Sequence, residues 1–229
     1  MAEESAPTLG TSVETVYRWA RDAIIDGGIA PGAPLRLNVI ARRCAVSAIP
    51  VREAFRLLEA EGFLVNVAGE GSSAVPLTRG DLEDVYWMRL ALESETARLA
   101  AVRIRPFELA RLRRLDARAK PRTLADRDLH VAIAEAADSA RLPRAVGLAW
   151  DHAERYRRAS LDRATVEPSR HAPILAALAD GDADAAVRAI RAHLTAEFAA
   201  VDAAFLARHG DEVQRQHRLL RLPIPRERD

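Results

Sequence analysis

The chain has 229 residues with 34 Lys and Arg against 33 Asp and Glu, and its formal net charge at pH 7 is +1. With 49% hydrophobic residues, it has enough material for one large domain or two small ones with a real core. No apolar run approaches the roughly 18–20 residues of a membrane span, and the polar start is not a signal peptide, so we expect a cytoplasmic protein. The single cysteine, Cys44, excludes an internal disulfide framework, and its apolar neighbours favour packing over redox sensing.

The first predicted element is a helix that begins at Thr11 or Ser12, either of which is a suitable N-cap, and ends near Asp26. Residues 1–10 are predicted to be weakly ordered. The apolar stripe of the helix consists of Val13, Val16, Tyr17, Ala20, Ile24 and Ile25. Gly and Pro residues at 27–28 and 31–32 then predict a turn.

Residues 37–63 predict two short helices separated by a tight break. The first has an apolar face of Val39, Ile40 and Cys44; the second has one of Val51, Ala54, Phe55 and Leu58. Ser47 is well placed as the N-cap of the second helix, Pro50 is tolerated in its first turn, and Gly62 ends it.

The opposite face of the second helix carries Arg52, Arg56 and Glu59. A short helix, a turn and a second helix with arginines on its free face is the geometry that places one helix in a DNA major groove. Strands at 63–65 and 73–75 around a glycine-containing turn predict a β-hairpin wing. Gly69–Ala74 also fits the dinucleotide-binding glycine pattern, but it opens no helix and no βαβ unit surrounds it, so we reject that interpretation.

Two stretches, IAPGAPL at Ile29–Leu35 and VSAIPVREAFRLLEAEGFL at Val46–Leu64, resemble the winged helix-turn-helix of the GntR family of bacterial transcription regulators. The resemblance implies binding to double-stranded, pseudo-palindromic operator DNA. Ser47 and Arg52 match the family, whereas Asn38 and Ala48 stand where members commonly have arginines that read guanine or hold phosphate. The predicted DNA-contacting residues are Asn38, Ser47, Ala48, Ile49, Arg52, Arg56, Gly69 and Gly71. Residues 1–78 hold seven Arg against nine acids, so any DNA contact must depend on the local placement of arginines.

Pro76–Gly80 is the predicted boundary between a DNA-binding domain at 11–77 and an all-helical domain at 78–209. The tail at 210–229 is predicted to be a frayed helix or a disordered end. Thr78 followed by Asp81 is typical of a helix start. Proline and glycine breaks divide the second domain into about six predicted helices, at 80–103, 107–119, 123–138, 142–162, 168–180 and 182–207. The predicted fold is therefore mainly α, with a winged helix-turn-helix followed by a helical bundle.

Candidate metal ligands lie on three of these helices. Asp126 and His130 are four residues apart on one helix face, His171 stands near the start of a later helix, and His193 lies on the last helix. Three imidazoles and a carboxylate suit a divalent metal with open positions. The spacing alone leaves an alternative open, because an Asp/His pair at i and i+4 is more often a surface pair.

A second resemblance bears on this choice. Asp126–Asp138 and Arg170–Leu194 resemble the C-terminal helical FCD domain of the FadR-type branch of the GntR family. In many members such a domain binds a metal through residues that match Asp126, His130, His171 and His193. Three histidines and one aspartate suit zinc, nickel, iron or manganese. The family usually has an asparagine some turns after the Asp/His pair, whereas this chain has Asp138–Arg141.

Arg89 falls on the apolar stripe of its helix and should face inward, where it needs an anionic partner. One candidate partner is Glu93 or another protein carboxylate; the other, supported by a matching arginine in the family, is an effector carboxylate. His152 is predicted to be a core or surface residue rather than part of the site. His209 and His217 are predicted to be solvated, and the three tryptophans to pack.

Three function classes follow. The favoured one is a homodimeric, effector-responsive transcription regulator whose operator binding is controlled by a small carboxylate bound in a metal-centred helical domain. The alternative is a metal-dependent lyase or hydrolase that uses the Asp/His₃ site, but it leaves the helix-turn-helix unexplained. A purely architectural DNA-binding protein leaves the pocket unexplained and lacks the positive charge.

Overall fold

The structure is a computed structural model that describes residues 9–67, 69, 71–118, 125–161 and 171–219. The predicted disorder at residues 1–8, the breaks at Pro121 and Pro168, and residues 220–229 of the tail lie outside the described residues. None of the described helices is long and apolar enough to cross a membrane.

The N-terminal unit is a winged helix-turn-helix, as predicted. It contains α1 (Leu9–Ile25), β1 (Pro34–Leu35), α2 (Leu37–Arg43), α3 (Ala48–Ala60), β2 (Leu64–Val67) and β3 (Gly71–Ala74). The strands form an antiparallel sheet in the order β1-β3-β2, with Leu64 opposite Ala74. The two-residue strand β1 was not predicted, because two residues are too few for an alternating pattern.

The apolar faces of α1 and α3 form the core of this unit. Val51, Ala54, Phe55 and Leu58 are buried as predicted, and Gly62 follows α3 with a φ of +79°, a conformation that glycine adopts without strain. Two details differ from the prediction. Val39 is 46% exposed, so only Ile40 anchors α2 firmly. Ser47 precedes α3, but its side chain makes no capping hydrogen bond.

The C-terminal unit is a helical bundle. It contains α4 (Arg79–Arg103), α5 (Pro106–Arg118), α6 (Ala125–Ala136), α7 (Leu142–Ser160), α8 (Ala172–Asp180) and α9 (Ala183–Leu219). Thr78 caps α4 as predicted, because its hydroxyl accepts a hydrogen bond of 3.1 Å from the Asp81 amide. The long α4 packs against α6, α7, α8 and α9, and therefore lies at the centre of the bundle.

Several boundaries and burial predictions were wrong. Helix α1 already includes Leu9, so neither Thr11 nor Ser12 begins it. Helix α9 continues to Leu219 instead of ending at 207, because a single glycine such as Gly210 costs a helix only about 1 kcal/mol. Trp87 is 66% exposed on α4 rather than packed. His209 is not fully solvated, since its ring lies 4.8 Å from that of Phe205.

Candidate functional site

The free face of α3 and the wing form one exposed surface. Arg52 is exposed there; Arg56 is exposed and paired at 2.8 Å with Glu53; Ile49 is 59% exposed at the start of the helix. Asn38 is exposed on α2, Ser47 is exposed just before α3, and Ala48 is half-buried in its first turn. Gly69 and Gly71 are exposed in the wing, with φ of +85° and +87°. The side chains that the sequence proposed for DNA contact therefore lie on the α2–α3 and wing side of the unit.

A groove of about 770 Å³ separates α3 from the wing. Arg52 and Arg56 line it together with Arg36, which the sequence reasoning missed. Arg36 directly precedes α2 and carries no motif signal, so only the fold brings it to the same groove. A hydrogen bond of 3.0 Å from the Ser72 hydroxyl to the Glu59 carboxylate joins strand β3 of the wing to α3.

Three of the predicted metal ligands converge in the bundle. His130 on α6, His171 just before α8 and His193 on α9 each offer a nitrogen, and these nitrogens all lie within 4.8 Å of one another. The Nε2 atoms of His130 and His171 are 3.3 Å apart. His130 and His171 are 2% and 1% exposed, so the three rings face one another in the interior.

Carboxylates on neighbouring helices orient two of these rings. The Nδ1 atom of His171 donates to Asp116 Oδ1 at 3.0 Å, and the Nδ1 atom of His130 donates to Glu93. With both Nδ1 atoms engaged, both Nε2 atoms direct a lone pair toward the centre of the cluster. Asp116 gave no signal in the sequence, and Glu93 was considered only as a partner of Arg89.

Asp126 is not a member of this cluster of donors among the described residues. Its carboxylate lies 3.7 Å from Arg157 Nη2, although its charge still acts on His171. The i, i+4 spacing places Asp126 and His130 on one face of α6, but the Asp126 carboxylate lies beside a cation on α7.

Burial governs the protonation of the cluster. Burial and the neighbouring His130 lower the pKa of His193 to about 3, and the same two causes lower the pKa of His171. Burial alone would raise the pKa of Glu93, but Arg89 and then His130 outweigh it and hold that pKa at about 2. At neutral pH His171 and His193 are therefore neutral and Glu93 is ionised, and neutral imidazoles are the form that binds a metal.

Arg89 is completely buried, as predicted, and protein carboxylates already pair with it. Its Nε atom donates to Glu93 at 2.7 Å and its Nη1 atom donates to Glu197 at 2.9 Å. Its Nη2 atom is buried without a hydrogen-bond partner among the described residues. The pairing with Glu93 matches one of the two interpretations of Arg89, and one pair of N–H donors is left for a further acceptor.

His152 lies between the two units and not in the histidine cluster. Its ring stacks on Phe63 with centroids 4.4 Å apart, and its Nε2 atom donates to the Glu61 carbonyl at 2.8 Å. The adjacent residue, Asp151, accepts from Arg127 on α6 at 2.7 Å and from Arg21 on α1. A buried carboxylate thus joins the winged-helix unit to the helix that carries His130.

Comparisons with known proteins agree with this architecture. Residues 12–73 match the family described as bacterial regulatory proteins, gntR family, and residues 84–196 match the FCD domain. An HTH-type transcriptional regulator of Paraburkholderia xenovorans, BphR, is 29% identical over 163 residues, which are 64% of this chain and 66% of that protein. The regulator YdhC of Bacillus subtilis is 35% identical over 77 residues, which are 34% of each chain. The chain therefore spans between about a third and two thirds of these curated relatives. The crystal structure of a GntR regulator from Rhodococcus sp. RHA1 superposes with a TM-score of 0.69 at 25% identity, over 85% of this chain and 99% of that one.

Proposed function

Because the chain belongs to the GntR family of bacterial transcription regulators, with an FCD domain after the winged helix, we propose that it binds operator DNA under the control of a metal-centred effector site. The family and the curated relatives are transcriptional regulators, so a metal-dependent lyase or hydrolase is not the class to which this chain belongs. The division into a DNA-binding domain at 11–77, an effector domain at 78–209 and a tail at 210–229 is part of the proposal, as is membership of the FadR branch.

The observation that carries the metal assignment is the separation of the two Nε2 atoms. Two nitrogens bound at about 2.0–2.1 Å to one tetrahedral metal are about 3.3 Å apart, and the Nε2 atoms of His130 and His171 lie at that distance. Without a cation or proton between them, their lone pairs would repel. His193 is the third ligand of the proposal, and Asp126 is the fourth, on condition that its carboxylate moves from Arg157. Such a donor set suits zinc, nickel, iron or manganese.

The proposed effector is a small carboxylate. A metal held by three histidines and one aspartate accepts a further oxygen ligand when its coordination number rises from four to five. The unpartnered Nη2 of Arg89 supports a second contact, because a buried guanidinium nitrogen gains a charge-assisted hydrogen bond from an anionic acceptor. The metal and Arg89 would then hold the effector from two sides.

The proposed DNA contacts come from α3, α2 and the wing. Arg52 and Arg56 reach base edges or phosphates from the free face of α3, with Ser47, Ala48, Ile49 and Asn38 beside them and Gly69 and Gly71 in the wing. A single helix-turn-helix reads a short half-site, so we propose a homodimer on a pseudo-palindromic operator, acting in the cytoplasm where the DNA lies.

Asp151 is the proposed mechanical link between the two activities. Arg127, which bonds it, lies between Asp126 and His130 on α6, and Arg21, which also bonds it, lies on α1. A shift of α6 that accompanies metal and effector binding would therefore act on the DNA-binding unit through this carboxylate. Effector and operator must then change each other's affinity by the same factor.

Elemental analysis, thermal melting against a panel of carboxylates and sedimentation test this proposal. We expect stoichiometric metal, a carboxylate that raises the melting temperature only in the metal-loaded protein, and twice the mass of the 25.1 kDa chain. Effector binding of full strength in the metal-free protein would remove the metal from the proposal, and a monomer at micromolar concentration would remove the dimer.

A further inference from the structure

Arg36 is not among the proposed DNA contacts, although it lines the groove between α3 and the wing. It follows strand β1, directly precedes α2, and is exposed. Its backbone is fixed, because its carbonyl accepts hydrogen bonds from the amides of Val39 at 2.9 Å and Ile40 at 3.1 Å. On its other side, Leu35 lies opposite Ser72 of strand β3. The fold therefore anchors the base of the Arg36 side chain at this groove.

The α3–wing groove concentrates positive charge. Residues 1–78 as a whole hold seven arginines against nine acids. The charged residues that line the groove in the described part of the chain are three arginines and one carboxylate: Arg36, Arg52, Arg56 and Glu59. The Glu59 carboxylate accepts a hydrogen bond from the Ser72 hydroxyl. A unit with more acids than bases thus has a locally positive groove, which favours an anionic occupant.

Arg36 differs from other exposed arginines of the same unit in having no internal partner. Arg18 pairs with Glu14 at 3.4 Å, and Arg56 pairs with Glu53 at 2.8 Å. Arg36 forms neither an ion pair nor a side-chain hydrogen bond with any residue that the structure describes. An exposed guanidinium of this kind can bind an external anion without first giving up an internal contact.

The dimensions of B-DNA indicate which anion the groove would meet. The major groove of DNA is about 12 Å wide, and a helix with its side chains is about 10–12 Å across. When α3 lies in the major groove, as the proposed function requires, α3 fills its width. The wing beside α3 then lies past the edge of the major groove, and that edge is a sugar–phosphate strand. The α3–wing groove must therefore receive this strand.

We propose that Arg36 binds a backbone phosphate of the DNA strand that enters the α3–wing groove. This inference rests on the proposed DNA binding and adds to it a contact that carries no sequence information. Arg52 reaches the DNA from the free face of α3, whereas Arg36 holds the strand beside that helix and fixes the position of the unit on the duplex. The contact also displaces a counterion from the DNA, so it makes binding more sensitive to salt.

Salt-dependent DNA titrations of the full-length protein test this contact. The probes are a duplex that the wild-type protein selects from a random pool and a duplex with the same bases in scrambled order. One neutralised phosphate contributes about 0.9 to the slope of log affinity against log salt concentration. We expect Arg36→Gln to reduce the slope by about 0.9 per subunit on both duplexes. Binding should weaken by about eightfold per subunit at about 0.1 M salt, and the difference should shrink toward about 1 M.

Two further variants separate the phosphate contact from a general effect of charge or folding. Arg18→Gln removes an exposed arginine of the same unit that does not line the groove, and it should keep the wild-type slope. Arg36→Lys keeps the positive charge at the groove and should also keep the slope, although lysine lacks the planar fork of arginine. All three variants should melt at the wild-type temperature, because both arginines are exposed.

The possible results distinguish this inference from the proposed function. An unchanged slope in the folded Arg36→Gln protein would show that Arg36 binds no phosphate. A loss of affinity confined to the selected duplex would make Arg36 a base contact instead. An equal loss of slope in Arg18→Gln would show that only the total charge of the unit matters. A wild-type protein that binds no duplex would overturn the proposed function, and this inference with it.

Discussion

The two units of this protein differ in the exposure of their candidate functional groups. The winged-helix unit carries Arg52 and Arg56 on the free surface of α3, away from its apolar core. The bundle buries His130, His171 and Arg89 and surrounds them with carboxylates from other helices. An exposed reading surface can be altered at little cost to folding, whereas each residue of the buried site supports its neighbours. Substitutions on the exposed surface of the first unit should therefore have independent effects. Substitutions in the buried site of the second unit should also disturb the neighbouring residues of that site.

The largest effect should follow loss of a histidine from the bundle. His193→Ala or His171→Ala removes one of three convergent nitrogens, and we expect stoichiometric metal to be lost, together with effector binding. Elemental analysis of the purified variants measures this. His152→Ala is the matched control, because His152 lies at the junction, and it should keep the metal. Full metal content in both the His171 and the His193 variant would show that the ligands are misassigned. The bundle would then have no buried site in which the residues depend on one another.

The next effect concerns the exposed surface. Arg52→Ala should weaken specific DNA binding by about 1–3 kcal/mol if Arg52 reads a base, with no change in melting temperature. Binding to a duplex selected by the wild-type protein measures the loss, with Arg98→Ala, an exposed arginine on α4, as the control. A folded Arg52→Ala protein with unchanged DNA affinity would exclude Arg52 from the interface.

A subtler test of the buried site uses a residue that touches no metal. Asp116→Asn weakens the acceptor that orients His171, and loss of such a partner reduces metal affinity by about 10–100-fold. Competition with a fluorescent chelator measures it. Asp202→Asn, which affects an ion pair between α4 and α9, should leave the affinity unchanged. If both variants behaved alike, the orientation of His171 would not depend on Asp116.

The smallest effect should appear at the link between the units. Asp151→Asn keeps the shape of the side chain but weakens its bonds to Arg127 and Arg21. We therefore expect the effect of metal on the free energy of DNA binding to be smaller than in the wild type by about 0.5–2 kcal/mol. DNA titrations with and without metal give the coupling. Asp22→Asn, at an exposed carboxylate that Arg21 also contacts at 3.1 Å, should keep it. An undiminished coupling in Asp151→Asn would mean that the two units communicate elsewhere.

The sequence by itself determined the order of the helices, the winged helix-turn-helix and three candidate histidines that the fold brings together. These features follow from local rules: the periodicity that buries Val51 and Leu58, the capping of α4 by Thr78, and motifs carried by contiguous residues. At Val39, which is 46% exposed, periodicity predicted the apolar face of the helix but not how much of that face a neighbour covers.

Only the tertiary structure decided the surroundings of the candidate site. Asp116 and Glu93 meet the imidazoles, and Arg157 lies beside Asp126, because α4, α5 and α7 pack beside α6 and α8. The partners of Asp151 likewise depend on how the two units meet. Contacts between residues far apart in the chain leave no periodic pattern in the sequence, because they depend on how the helices pack and on which charges pair after the helices have formed.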